Sequence, residues 1–311
     1  MSDVLQQVVV LVLMMAAGFI AAKAKVITEQ GREVLTRIVL NISSPMIVIS
    51  SFQMQYESEL MKQIGIVAAF AFLSMPLFYL LGRAVWPKGD RERRSVLLQA
   101  TVFTNCGFMG YPVMQSVMGD TGVVFASVYV MAFTVFTWTL GIYIYAGKLG
   151  SWKQVVLQPG LIAVAVGLLF FVFGVKLPGW LGQAVSGLGS LNTPLAMLIV
   201  GALMAEGDFK TLFRDWTLFA SAAARLAALP ALALGALWLM WALGVPGMPA
   251  VSSPVISACV LLTAMPVAAN VAIFASMYAV KPQYAAQTVL VSTLLSVATV
   301  PMWIFVLRFF V

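Results

Sequence analysis

The chain has 311 residues, 62% of them hydrophobic and only 9% charged, with a mean hydropathy of +0.99. Soluble domains carry about 25% charged residues, so this composition excludes a soluble, disordered or fibrous protein. The formal charge is +7, from 18 Lys+Arg against 11 Asp+Glu, and histidine is absent, which removes imidazole metal sites and His-dependent acid–base catalysis.

The chain is therefore read as an all-α integral membrane protein. A crossing takes about 20 apolar residues, which leaves room for about ten. Ten spans are placed, at 4–22, 34–54, 63–82, 95–118, 122–146, 155–175, 182–205, 216–243, 253–279 and 284–307. The first has Asp3 and no basic residue ahead of it, so it is taken as a retained helix rather than a signal peptide. Cys106 and Cys259 both lie in apolar runs and read as small buried residues. Trp86, Trp152, Trp180 and Trp216 fall near span ends, where interfacial belts form.

Charge orients the spans. Lys23, Lys25, Arg32 and Arg37 follow the first, and Arg83, Lys88, Arg91, Arg93 and Arg94 the third. Lys148 and Lys153 follow the fifth, Lys210 and Arg214 the seventh, and Lys281 the ninth. Only Lys62, Lys176 and Arg308 lie on the other side. The positive-inside rule makes the first set cytoplasmic. Both termini are then outside, in the periplasm if the membrane is a bacterial inner membrane.

The halves echo each other. Asn41-Ile-Ser-Ser-Pro45 resembles Asn192-Thr-Pro194, Pro76 matches Pro230, and Pro112 matches Pro266. This suggests a repeat with residues 1–150 (helices 1–5) and 151–311 (helices 6–10) as its copies. Five spans per copy make the second copy inverted, a construction typical of secondary transporters.

The fourth span reads Thr104-Asn105-Cys106-Gly107-Phe108-Met109-Gly110-Tyr111-Pro112, a poor helix interior. The ninth carries Met265-Pro266-Val267-Ala268-Ala269-Asn270. Unwound backbone at membrane depth is tolerated only inside protein or around a cavity. A pair of such breaks points to a midplane site. Half-helix N-termini there would favour a carboxylate, with Asn105 and Asn270 as amide donors. The candidate substrate residues are Asn105, Cys106, Gly107, Gly110, Tyr111, Pro112, Pro266, Val267 and Asn270. Kinks satisfied by neighbouring helices are the plainer alternative.

No Asp, Glu or Lys lies centrally in any span, so carboxylate-based proton or cation coupling has no visible support. Asp120 and Glu206 end spans and reach an interface. Arg225 is the ambiguous cation. It is read as snorkelling to the cytoplasmic surface, with a central substrate-binding or gating role as the alternative.

These motifs resemble the auxin efflux carrier family, which includes bacterial and archaeal relatives of the plant PIN proteins. The likeness runs through Gly18-Phe19, Leu40-Asn41 to Pro45, Asn105-x-Gly-x-x-Gly-x-Pro112, Gly119-Asp120-x-Gly122, Met265-Pro266, Asn270 and Phe274-Ala275-x-x-Tyr278. It implies ten helices in two inverted repeats, with helices 4 and 9 broken and crossing at the two prolines. It also implies a scaffold of helices 1, 2, 6 and 7, which often forms homodimers. Helices 3–5 and 8–10 would be the moving transport domain of an elevator-like cycle. The substrate implied is a small organic anion such as malate, malonate or an auxin-like acid, held by an Asn like Asn105. Met277 stands where relatives often have an acid, and residues 147–153 are shorter than the plant loop.

No cofactor, metal or nucleic-acid partner is expected. An enzyme is disfavoured by the missing histidine and by the lack of a nucleotide-binding loop. A membrane ligand sensor built on the same fold is the alternative to a carrier.

Overall fold

A computed structural model describes residues 2–86, 89–148, 152–205, 215–245 and 254–308. Lys88, Glu206, Lys210 and Arg214 of the charge argument lie outside these, as does the Trp152 side chain.

The helices are α1 Ser2–Lys23, α2 Glu29–Ser51, α3 Ser58–Val85, α4 Arg91–Val102, α5 Cys106–Ala146 and α6 Trp152–Val156. There follow α7 Pro159–Phe173, α8 Gly179–Ala205, α9 Trp216–Ala242, α10 Pro254–Thr263, α11 Asn270–Met277 and α12 Pro282–Arg308. Among the described residues there is no strand, only one isolated bridge. Six of these stretches, α2, α3, α5, α8, α9 and α12, are long and apolar enough to cross a bilayer. Shorter apolar helices run at Val9–Lys23, Pro159–Phe173 and Pro254–Thr263. The chain is a multi-pass membrane protein.

Proline shapes several helices in one way. A proline inside a helix has no N–H, and its ring presses on the carbonyl four residues earlier. Wider π-helical turns at Val39–Ser43, Cys106–Gly110 and Ala224–Ala228 each end two residues before Pro45, Pro112 or Pro230. Leu226 loses its intrahelical donor because Pro230 has none, and the Trp303 Nε1–H donates to that carbonyl instead, at 2.7 Å.

The chain divides into two compact units. The first comprises Met1–Ala68, Gly107–Thr134 and Trp152–Glu206. Here α1 and α8 touch backbone to backbone. A Cβ on Gly201 would lie 1.9 Å from the Met15 carbonyl oxygen, and one on Gly18 2.3 Å from that of Leu198. The echoed motifs of α2 and α8 meet: the Ser44 hydroxyl donates to Asn192 Oδ1 at 2.7 Å. Gly119, at φ 60° and ψ −143°, breaks α5, and a Cβ on Gly122 would lie 2.2 Å from the Met114 carbonyl oxygen. The Gly119-Asp120-x-Gly122 motif is therefore a sharp turn within α5. Asp120 beside it is exposed and accepts from the Ser51 hydroxyl at 3.4 Å.

The second unit comprises Ala69–Cys106, Val135–Ser151 and Gly207–Val311. Asp90 caps α4 and Asp215 caps α9. Arg93 pairs with Asp215 and donates to the Thr217 hydroxyl at 2.6 Å, with Tyr284 under its guanidinium. Lys281 pairs with Asp90 at 2.7 Å. Trp86 does not join an interfacial belt: it is buried, and its Nε1–H donates to the Thr101 hydroxyl at 2.7 Å. Trp180 and Trp216 are exposed, as a belt requires.

Candidate functional site

α4 and α10 both stop inside the second unit, and the chain beyond each is extended. Phe103 leaves α4 at φ −98° and ψ 110°. Thr104 then forms an antiparallel bridge with Val267. The Asn105 N–H donates to the Pro266 carbonyl at 2.7 Å, and the Ala268 N–H to the Phe103 carbonyl at 3.0 Å. Two interrupted helices thus cross through a short piece of sheet-like pairing. All six residues of the pairing are buried.

Buried backbone groups must find partners, and the accounting here is nearly complete. Pro266 has no N–H for the Leu262 carbonyl, four residues back. The Thr104 hydroxyl lies 3.0 Å from it and 3.1 Å from the Met265 carbonyl. The Val267 N–H turns away from Thr263 and donates to the Ser292 hydroxyl oxygen at 3.1 Å. The Asn105 N–H has likewise left the Thr101 carbonyl. Arg225 supplies both abandoned carbonyls: its Nη1 donates to Thr101 at 2.7 Å and its Nη2 to Thr263.

Arg225 is therefore not a snorkelling residue. It is 0% exposed, with the Phe78 ring centroid 5.6 Å from Cζ. The π-helical turn before Pro230 and the two waiting carbonyls hold the side chain inward.

The crossing also corrects where the first break lies. α4 opens at Phe103–Asn105, and Pro112 sits seven residues further on, within α5. The π-helical turn Cys106–Gly110 absorbs that proline without unwinding the chain. The residue opposite Val267 is Thr104, whose hydroxyl does what a proline cannot.

The sequence-derived residues therefore fall in two sets. Asn105, Pro266 and Val267 meet in the second unit, with Cys106 fully buried beside them and Asn270 half-buried at the start of α11. Neither Cys106 nor Cys259 is in a disulfide. Gly107, Gly110, Tyr111 and Pro112 belong to the first unit. There Pro112 lines a cleft of about 430 Å³ together with Gln6, Gln115, Ser116 and Thr193. The Thr193 hydroxyl donates to Gln115 Oε1 at 2.9 Å. Gln115 went unnoticed in the sequence, although an amide three residues after a span proline is itself a signal. Thr104, Ser292 and the carbonyls of Thr101 and Thr263 were also missed. Backbone acceptors leave no mark in a sequence.

The family model described as "Membrane transport protein" matches residues 3–155 and 148–304. The chain belongs to the membrane transport protein family. The resemblance to auxin efflux carriers is thereby borne out, and the family's description is that of transporters rather than enzymes. An uncharacterized transporter of Methanothermobacter thermautotrophicus is 27% identical over 314 residues, covering 98% of both chains. An uncharacterized transporter of Methanocaldococcus jannaschii is 24% identical over 216 residues, covering 65% of this chain and 70% of the relative.

Proposed function

We propose that this membrane transport protein is a secondary carrier for a small organic anion, a carboxylate of the malate, malonate or auxin-like kind, bound beside the crossing of α4 and α10. The observation that carries the reading is the buried pairing of Phe103–Asn105 with Pro266–Ala268. Broken helices of this kind build the midplane sites of secondary transporters. The chain after each break begins a new helix, at Cys106 and at Asn270. Helix starts carry free N–H groups and partial positive charge, which suits a carboxylate. Asn105, Cys106, Pro266, Val267 and Asn270 are the proposed contacts.

Ten crossings in two inverted five-helix repeats are part of the same proposal. The 41-residue stretch Cys106–Ala146 supports this. At 1.5 Å per residue it is about 60 Å long, twice a hydrocarbon core, and it turns at Gly119. Joining α4 to the part of α5 before Gly119, and α10 to α11, and leaving out the five-residue α6, which is too short to cross, then gives ten. We place the protein in a cytoplasmic membrane with both termini outside, on the bias of Lys and Arg. From the family resemblance we take an elevator-like cycle, with the third to fifth and eighth to tenth crossings moving on a dimeric scaffold of the first, second, sixth and seventh. Thermal-shift screening of the purified protein against mono- and dicarboxylates tests the binding. Stabilisation by carboxylates and not by their amides is expected.

A further inference from the structure

We propose that Arg225 is a tethered counter-cation: it ties the ends of the two interrupted helices together and stands where a coupling cation would otherwise bind. α4 and α10 end with the negative poles of their dipoles at the crossing. Half-helix C-terminal ends and unwound carbonyls are what coordinate sodium ions or protons in many secondary carriers. Here the Thr101 and Thr263 carbonyls, one from each helix, receive the two ends of one guanidinium fork. The fork is planar and permanently charged. It therefore fixes the distance between the two helix ends as well as their charge.

The local sequence delivers this side chain. Pro230 imposes the π-helical turn Ala224–Ala228, and Arg225 is its second residue. Trp303 closes the gap at Leu226, so the widened turn is held from the other side. Phe78 covers the guanidinium face. Arg225 is thus a positioning residue for the crossing. As proposed here it positions the crossing and makes no substrate contact, and its full burial keeps it from the membrane surface. The consequence for the proposed carrier is that its crossing needs no sodium.

The test compares wild type, Arg225→Ala and Arg225→Lys in detergent, with millimolar methylguanidinium, sodium or choline as chloride salts. Wild type is expected to show the same Tm in all three. Arg225→Ala is expected to melt several degrees lower and to be restored selectively by methylguanidinium, which a merely space-filling role would not produce. Arg225→Lys keeps the charge but loses the fork, and is expected to melt between the two. Stabilisation of wild type by sodium over choline would overturn the proposal. So would a lysine variant as stable as wild type, or a folded, weakened alanine variant that ignores methylguanidinium. In proteoliposomes, methylguanidinium is expected to restore uptake of radiolabelled malonate to Arg225→Ala. Wild-type vesicles that take up nothing would strike the carrier reading alone, because the thermal comparison decides the role of Arg225 without any flux.

Discussion

The backbone N–H of Asn105 donates to the carbonyl of Pro266 at 2.7 Å. These residues are far apart in sequence, and each stands at the point where a helix gives out. Their bond explains why both helices stop. Asn105 can pair with Pro266 only by releasing Thr101, and Pro266 has no N–H with which to hold Leu262. Each vacated carbonyl then needs a donor from elsewhere, and Thr104 and Arg225 provide them.

Thr104→Val keeps the shape of the side chain and removes the hydroxyl shared by Leu262 and Met265. Leaving a buried acceptor unsatisfied costs about 1–3 kcal/mol. The variant is expected to insert normally and to melt several degrees lower in a detergent thermal-shift assay. A Tm equal to wild type would show that these carbonyls are satisfied in another way.

Gly201→Ala tests the backbone contact of α1 with α8. The added methyl would meet the Met15 carbonyl oxygen at 1.9 Å, and that oxygen belongs to helix backbone that cannot swing aside. Overpacking of this kind costs about 1–3 kcal/mol. Gly187→Ala meets nothing within 4 Å and is the matched control. The Gly201 variant should lose yield and thermal stability, and the Gly187 variant should not.

Asp215 gives a pH signature. Partial burial pushes its carboxyl up, but the hydrogen bonds from Thr217 and the Arg93 guanidinium outweigh this and hold it below its ordinary value. A carboxyl lowered by folding stabilises the protein above its unfolded value, near 3.9, and loses that contribution as pH falls through the folded one. The pair is partly exposed, so its worth is about 1 kcal/mol or less. The Tm gap between wild type and Asp215→Asn is expected to hold from neutral pH into the mildly acidic range. It should close only below the ordinary carboxylate value. A gap that persists in strong acid would assign the effect to packing instead of charge.

Much of this was legible in the sequence because membrane depth forbids loose ends. Pro266 and the Asn105 glycine-rich stretch announced two interrupted spans, and both are interrupted. The place of the first break was misjudged. Proline marks a lost hydrogen bond but does not say whether the helix unwinds or merely widens, and at Pro112 it widens. Trp86 looked interfacial by its position at a helix end, yet the hydroxyl of Thr101, one helix away, draws it inward. Arg225 was hidden for a like reason. Its depth could be counted along α9, but its partners are main-chain carbonyls of two other helices, set free by a pairing that no local pattern encodes.

The proposed activity is carriage of an organic anion through a site at the crossing. Uptake of radiolabelled mono- and dicarboxylates into proteoliposomes tests it most directly, with wild type beside Asn105→Ala. Wild type is expected to show saturable, carboxylate-specific uptake. The Asn105 variant, inserted at equal density, should lose about tenfold or more in affinity, the worth of one charge-assisted hydrogen bond. Carboxylates that bind wild type without ever being taken up would make the protein a sensor instead. Wild-type affinity in Asn105→Ala would contradict the placement of the site.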